Sequence, residues 1–176
     1  MVRYVAFLSG INVPGQNIVS MDELKSLMEM PGIENVSTYV QSGNVLFDSE
    51  ETNESVLKHH IESSLHKSLG YRVCVILRMF HELKRIVNNN PFDVKTEAKS
   101  KLYVTLLGDI PAFDVRGSLG VYSNDAEYAR VVNREVYIFT SNYGKTCFSN
   151  TFIEKKLRVE ATTRNWSTLL KLSDLS

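Results

Sequence analysis

The order of strand-like and helix-like segments limits what this chain can fold into more than any single motif does. Arg3 to Leu8 is a short, largely apolar run without clean alternation, as suits a central strand covered on at least one face. A loop follows, then Ser20-Met21-Asp22-Glu23, a capping box that opens a helix through Met30 with Met21, Leu24, Leu27 and Met28 on one face. Pro31-Gly32 ends that helix. "VSTYVQ" and "NVLFD" read as two strands joined by the tight turn Gln41-Ser42-Gly43-Asn44, a hairpin. Thr52 or Asn53 caps a second helix with Val56, Leu57, Ile61, Leu65 and Leu69 on its apolar face, and Gly70 stops it. "RVCVILR" closes the unit. Strand, helix, hairpin, helix, strand is the split βαβ, or ferredoxin-like, order.

The second half repeats the pattern less clearly. "HELKRIVNN" reads as a linking helix, "KLYVTLL" as a strand, and "EYARVV" with "EVYIF" as a hairpin around Asn133-Arg134. "NTFIEKKL" is helical, "EATTR" a short last strand and "WSTLLKLSDL" a terminal helix. The stretch from Ile110 to Leu119 fits either a poor helix or a loop. The expectation is an α+β protein of two tandem ferredoxin-like (α-β plait) domains, at 1–79 and 101–176, with a linking helix and loop at 80–100.

The topology also selects a site. In a split βαβ sheet the first two strands point the same way. The loop after the first and the hairpin after the second therefore share one rim. That brings together Ser9, Gly10, Asn12, Gly15 and Asn17 with Gln41, Ser42, Gly43 and Asn44. Glycine permits positive φ and close approach, and successive loop amides form anion-binding concavities. The loop from Ser9 to Val19 is long for a compact domain, where connections take ~4–6 residues. It carries Ile11, Val13 and Ile18, which need somewhere to pack. Turn residues alone account equally for the composition.

Two phosphate-loop near misses are present. Gly10 and Gly15 have the spacing of the glycines in that motif, but Gln16-Asn17 replace its Lys and Ser/Thr. "TSNYGKT" has Gly144-Lys145-Thr146 but Phe139 in place of the first glycine. Lys145 is a phosphate candidate, with a short capping turn as the plainer reading. In "ATTRNW", Arg164 offers a planar fork to phosphate or carboxylate. Thr163 or Asn165 is placed to cap the last helix, and Trp166 either stacks on a ring or anchors that helix.

Other chemistry is sparsely represented. Net charge is zero, so no global field draws the chain to nucleic acid or membrane. His59, His60 and His66 share one helix without ligand partners at matching spacing. Cys74 reads as buried mid-strand, and Cys147 has only Lys145 nearby to activate it. Neither a nucleophile–base pair, a metal set nor a cofactor is called for. No apolar run approaches the ~20 residues that span a bilayer. Two distant cysteines and no signal pattern make the cytoplasm the default.

As a set, "YVAFLSGINVPGQN", "TYVQSGNVLF", "NPF", "EKKL" and "ATTRNWSTLLKL" resemble the bacterial proteins catalogued as domain of unknown function 1697, from Arg3 to Leu172. The resemblance implies two tandem α-β plait domains and no particular activity. Gly10, Asn12, Gln41, Ser42, Gly43, Asn44, Thr162, Thr163, Arg164 and Asn165 match the family. Ser9, Pro14 and Gln16 stand where the family usually has Arg, Gly and Lys, which removes two positive charges from the loop. The leading expectation is a binding module for a small anionic or nucleotide-like ligand at the Gly10/Gly43 rim. The alternatives are an enzyme using Gln41, Ser42, Asn44 and Arg164 on a phosphate- or carboxylate-bearing substrate, and a single-stranded nucleic-acid or protein-interaction module.

Overall fold

The computed structural model describes residues 1–40, 43–93 and 96–175. They divide into two units, Met1–Phe80 and His81–Ser176. Each carries one four-stranded antiparallel sheet, so the protein is of the α+β class.

In the first unit the order is β1 (Val2–Ser9), α1 (Met21–Met28), β2 (Glu34–Tyr39), β3 (Asn44–Ser49), α2 (Glu54–Leu69) and β4 (Cys74–Met79). The sheet runs β2-β3-β1-β4. Tyr4 to Leu8 are all buried, which is why β1 is an unbroken apolar run: it has a neighbour on each side and cover on both faces. Tyr4, Ala6 and Leu8 pack with Leu24 and Met28 of α1 and Leu57, Ile61 and Leu65 of α2. Each such aliphatic side chain contributes about 1.5–3 kcal/mol on burial.

Local signals place the helix ends. The Ser20 hydroxyl accepts from the Glu23 amide at 3.2 Å, and the Asn53 side chain accepts from the amides of Ser55 and Val56. Gly70 ends α2 at φ 80°, with its amide on the His66 carbonyl. Three bounds differ from expectation. Helix α1 stops at Met28, because Met30 turns back to the Met28 carbonyl before Pro31. Strand β2 starts earlier, at Glu34, across an irregularity that holds Asn35 at φ 51°. Strand β4 starts at Cys74, so this cysteine is half-buried at a strand end rather than buried in mid-strand.

The second unit follows α3 (Phe80–Asn88) with β5 (Leu102–Leu107), a 3-10 helix at Phe113–Tyr122, β6 (Glu127–Val132), β7 (Glu135–Thr140), α4 (Asn150–Leu157), β8 (Ala161–Asn165) and α5 (Trp166–Ser173). Its sheet runs β6-β7-β5-β8. The ambiguous stretch is the 3-10 helix. Gly117 and Gly120 disfavour a regular α-helix there, while Val115 and Leu119 still reach the core. Among the described residues, no helix is long and apolar enough to cross a membrane.

Tyr137, on β7, holds α3 to the sheet. Its hydroxyl donates to the Ile86 carbonyl at 2.6 Å, one of the orphan carbonyls at the end of α3. Burial, with Glu135 nearby, raises the phenol well above its usual range and keeps it a donor. Tyr137→Phe leaves that carbonyl unsatisfied. It is expected to lower unfolding free energy by about 1–3 kcal/mol in urea denaturation, with an unchanged m-value.

Candidate functional site

The two glycine-bearing loops of the first unit meet. Phe7 lies opposite Asn44 in the β1–β3 ladder, and the Leu8 amide donates to the Gly43 carbonyl at 2.8 Å. A Cβ built on Gly43 would stand 2.9 Å from Ile11 Cδ1 and 3.1 Å from Leu8 Cβ. Ile11 is buried here, so the opening loop docks on the hairpin through an apolar plug. Gln41 and Ser42, both named from sequence, lie outside the described residues.

The loop is stitched together by its own asparagines. Asn17 Nδ2 donates to the Gly10 carbonyl at 2.8 Å, and Asn12 Oδ1 accepts from the Val19 amide at 2.9 Å. The Asn12 amide reaches the Asn17 carbonyl, and Gln16 closes a small turn onto Val13. Asn44 is fully buried, with its Nδ2 on the Tyr39 carbonyl at 2.9 Å. These three side chains shape the rim rather than face a guest. Ser9 pairs with Cys74 at the end of the β1–β4 ladder.

Left-handed backbone is concentrated at this rim. Gly10, Asn12, Gly15, Asn17, Val40 and Gly43 all have positive φ, six of the eleven such residues described. Val40, at φ 50° and half exposed, is the costliest, because a β-branched side chain crowds its own carbonyl there. Arg72 was not expected. Its carbonyl lies 3.3 Å from a Cβ built on Gly10, and its side chain is exposed. The register that places Arg72 two residues before Cys74, the partner of Ser9, was the signal that could have found it.

Lys145, Thr163, Arg164 and Asn165 lie in the second unit, apart from the loops of the first in chain organisation. Lys145 is exposed in the short 3-10 turn Tyr143–Lys145. The Thr146 hydroxyl is taken by Glu127 at 2.6 Å, so Gly144-Lys145-Thr146 does not offer the hydroxyl that a phosphate loop needs. Glu127 also accepts from Thr140 and from the Cys147 amide, and the Thr146 bond above all holds its carboxyl below the usual range. This anchor of the turn carries no sequence signal.

Arg164 is only 6% exposed, so it is not a fork open to solvent. Its Nη1 donates to Thr162 Oγ1 at 2.8 Å and to the Thr163 carbonyl at 2.9 Å, and burial pulls the guanidinium down to about 10. Thr163 donates to Asn150 Oδ1 at 2.6 Å and pairs with Thr105. Asn165 stands at the N-cap of α5 without a capping side-chain bond, and Trp166 is buried beneath that helix.

Desolvation first, and then Glu127, push the Cys147 thiol up to about 11, the opposite of an activated nucleophile. At pH 8, iodoacetamide is expected to alkylate Cys147 in the folded chain ~100-fold more slowly than a free cysteine, by peptide mass spectrometry. For the rim, Gly43→Ala is expected to cost about 2–3 kcal/mol, combining left-handed strain with displacement of Ile11. Gly15→Ala, with nothing within 4 Å of its Cβ, should cost about 1 kcal/mol. Val40→Asn should instead stabilise by about 1 kcal/mol, since Asn tolerates this backbone. Chemical denaturation reads all three.

Comparison with known proteins gives the fold and the family. The conserved bacterial protein SP0830 from Streptococcus pneumoniae is similar in structure, with a TM-score of 0.70 at 20% identity, over 99% of this chain and 98% of that one. No curated protein matches. The family model described as protein of unknown function (DUF1697) matches residues 1–137, and the chain belongs to that family.

Proposed function

We propose that this is a cytoplasmic binding module of two tandem ferredoxin-like units, the first of which holds a small anionic or nucleotide-like ligand at the Gly10/Gly43 rim. The duplication is supported by the strand orders, which correspond position by position, β2-β3-β1-β4 and β6-β7-β5-β8. In the second unit the 3-10 helix takes the place of α1 in the order. The cytoplasm suits two cysteines that remain free thiols.

The observation that carries the ligand reading is the concentration of left-handed backbone on one rim, with a β-branched residue among it. Strain of this kind is kept where surrounding structure enforces it, and it gathers at binding loops. Left-handed turns also point successive amides into one concavity, the geometry that receives anions. Because the Asn side chains are committed to the loop, recognition falls to main-chain amides other than those of Leu8, Asn12, Gln16 and Val19, which bond within the rim. Arg72 supplies the charge that Ser9 and Gln16 do not.

The test is a thermal-shift titration with inorganic phosphate and with simple carboxylates, on the wild type, Arg72→Ala and Gly15→Ala. At 100-fold excess over its dissociation constant, a bound anion adds about 2.7 kcal/mol, or roughly 5–10 °C for a chain of this size. Arg72→Ala and Gly15→Ala are expected to lose most of that shift. A wild type that does not respond, or a shift that both variants keep, would contradict the reading.

A further inference from the structure

A different site emerges in the second unit. Between the 3-10 helix Phe113–Tyr122 and β6 lies a cavity of about 380 Å³, within the ~300–1,000 Å³ range of small-ligand pockets. Phe92, Arg116, Gly117, Gly120, Tyr128 and Arg130 line it, and among the described residues no acidic side chain does. Strand β6 is an edge strand, so nothing in the sheet covers its outer side.

The aromatic groups are already arranged as a platform. Tyr128 stacks on Phe139 with ring centroids 5.0 Å apart and planes at 11°. Phe92 meets Tyr128 edge-on at 4.9 Å and 88°. The Arg130 guanidinium sits 5.7 Å from the Phe92 ring centre. Arg116 Nε donates to the Pro111 carbonyl at 2.8 Å, which fixes the base of its fork, while its terminal nitrogens have no partner among the described residues. Arg130 likewise has no ion pair among the described residues. Gly117 and Gly120 would meet nothing within 4 Å if given a Cβ, so the wall they form is open to close approach.

Arg116 and Arg130 both line the cavity and both are exposed, so two guanidinium groups are available there to one anion. A planar fork suits phosphate, and an aromatic platform suits a flat heterocycle. We infer that this cavity binds a nucleoside monophosphate, with its base against Phe92 and Tyr128 and its phosphate on Arg116 and Arg130. The chain's zero net charge favours a free nucleotide over a strand whose phosphates must be tracked along the surface.

Isothermal titration of the full chain with AMP, GMP, CMP and UMP tests this, with adenosine and inorganic phosphate as partial ligands. At least one monophosphate is expected to bind at least tenfold more tightly than adenosine or phosphate alone. Arg130→Gln and Arg116→Gln should each weaken it about tenfold. Phe92→Leu should weaken nucleoside and nucleotide alike, and titration in an Arg72→Ala background, which disables the rim of the first unit, should keep the binding that depends on Arg116 and Arg130, which separates the two sites. If a pentanucleotide binds more tightly than its monophosphate and Arg130→Gln still abolishes the gain, the same site is confirmed with a strand end as its source. No binding by any monophosphate at millimolar concentration would overturn the inference. So would affinity unchanged in the Arg116→Gln, Arg130→Gln double variant, with its folding confirmed by circular dichroism.

Discussion

The antiparallel pairing of β1 with β3 governs the first unit. Because Phe7 must lie opposite Asn44, and Leu8 must donate to Gly43, the chain beyond Ser9 emerges beside the hairpin turn. A slip of one residue would turn Tyr4, Ala6 and Leu8 away from α1 and α2, so the register is locked by the core. The rim is therefore a consequence of core packing. Ile11 seals it by filling the space that a side chain at Gly43 would occupy.

That arrangement divides labour between side chains and main chain. Asn12 and Asn17 imitate backbone partners within the loop, so a long connection becomes a small ordered structure. Asn44 does the same beneath the hairpin. With those side-chain amides occupied, the rim keeps six residues in left-handed conformations, with the exposed Arg72 side chain next to Gly10. The second unit handles its polar groups differently. Thr105, Thr163, Asn150 and Arg164 form an internal network, while Arg116 and Arg130 are exposed beside the edge strand.

Features fixed by neighbours in sequence were legible before any coordinates. Ser20, Asn53 and Gly70 mark helix ends because capping acts within one turn. The meeting of the two loops was also legible, since it follows from strand order. Roles set by distant partners were hidden. Asn12 and Asn17 have the same composition whether they serve a turn or a guest, and only their bonds decide. Arg164 reads as an available fork until burial is known. The Phe113–Tyr122 segment mixes Gly117 and Gly120 with apolar residues at mixed spacing, so no single period identifies it. The cavity beside it joins that segment to β6 and to Phe92, three stretches that sequence does not connect.

The docking of the opening loop on the hairpin can be examined most directly by nuclear Overhauser spectroscopy on labelled protein. The account requires a strong cross-peak between the Gly43 α protons and the Ile11 δ methyl, which share one packed contact. Intense cross-peaks from that methyl to residues elsewhere, with none to Gly43, would mean that the two loops do not share a rim.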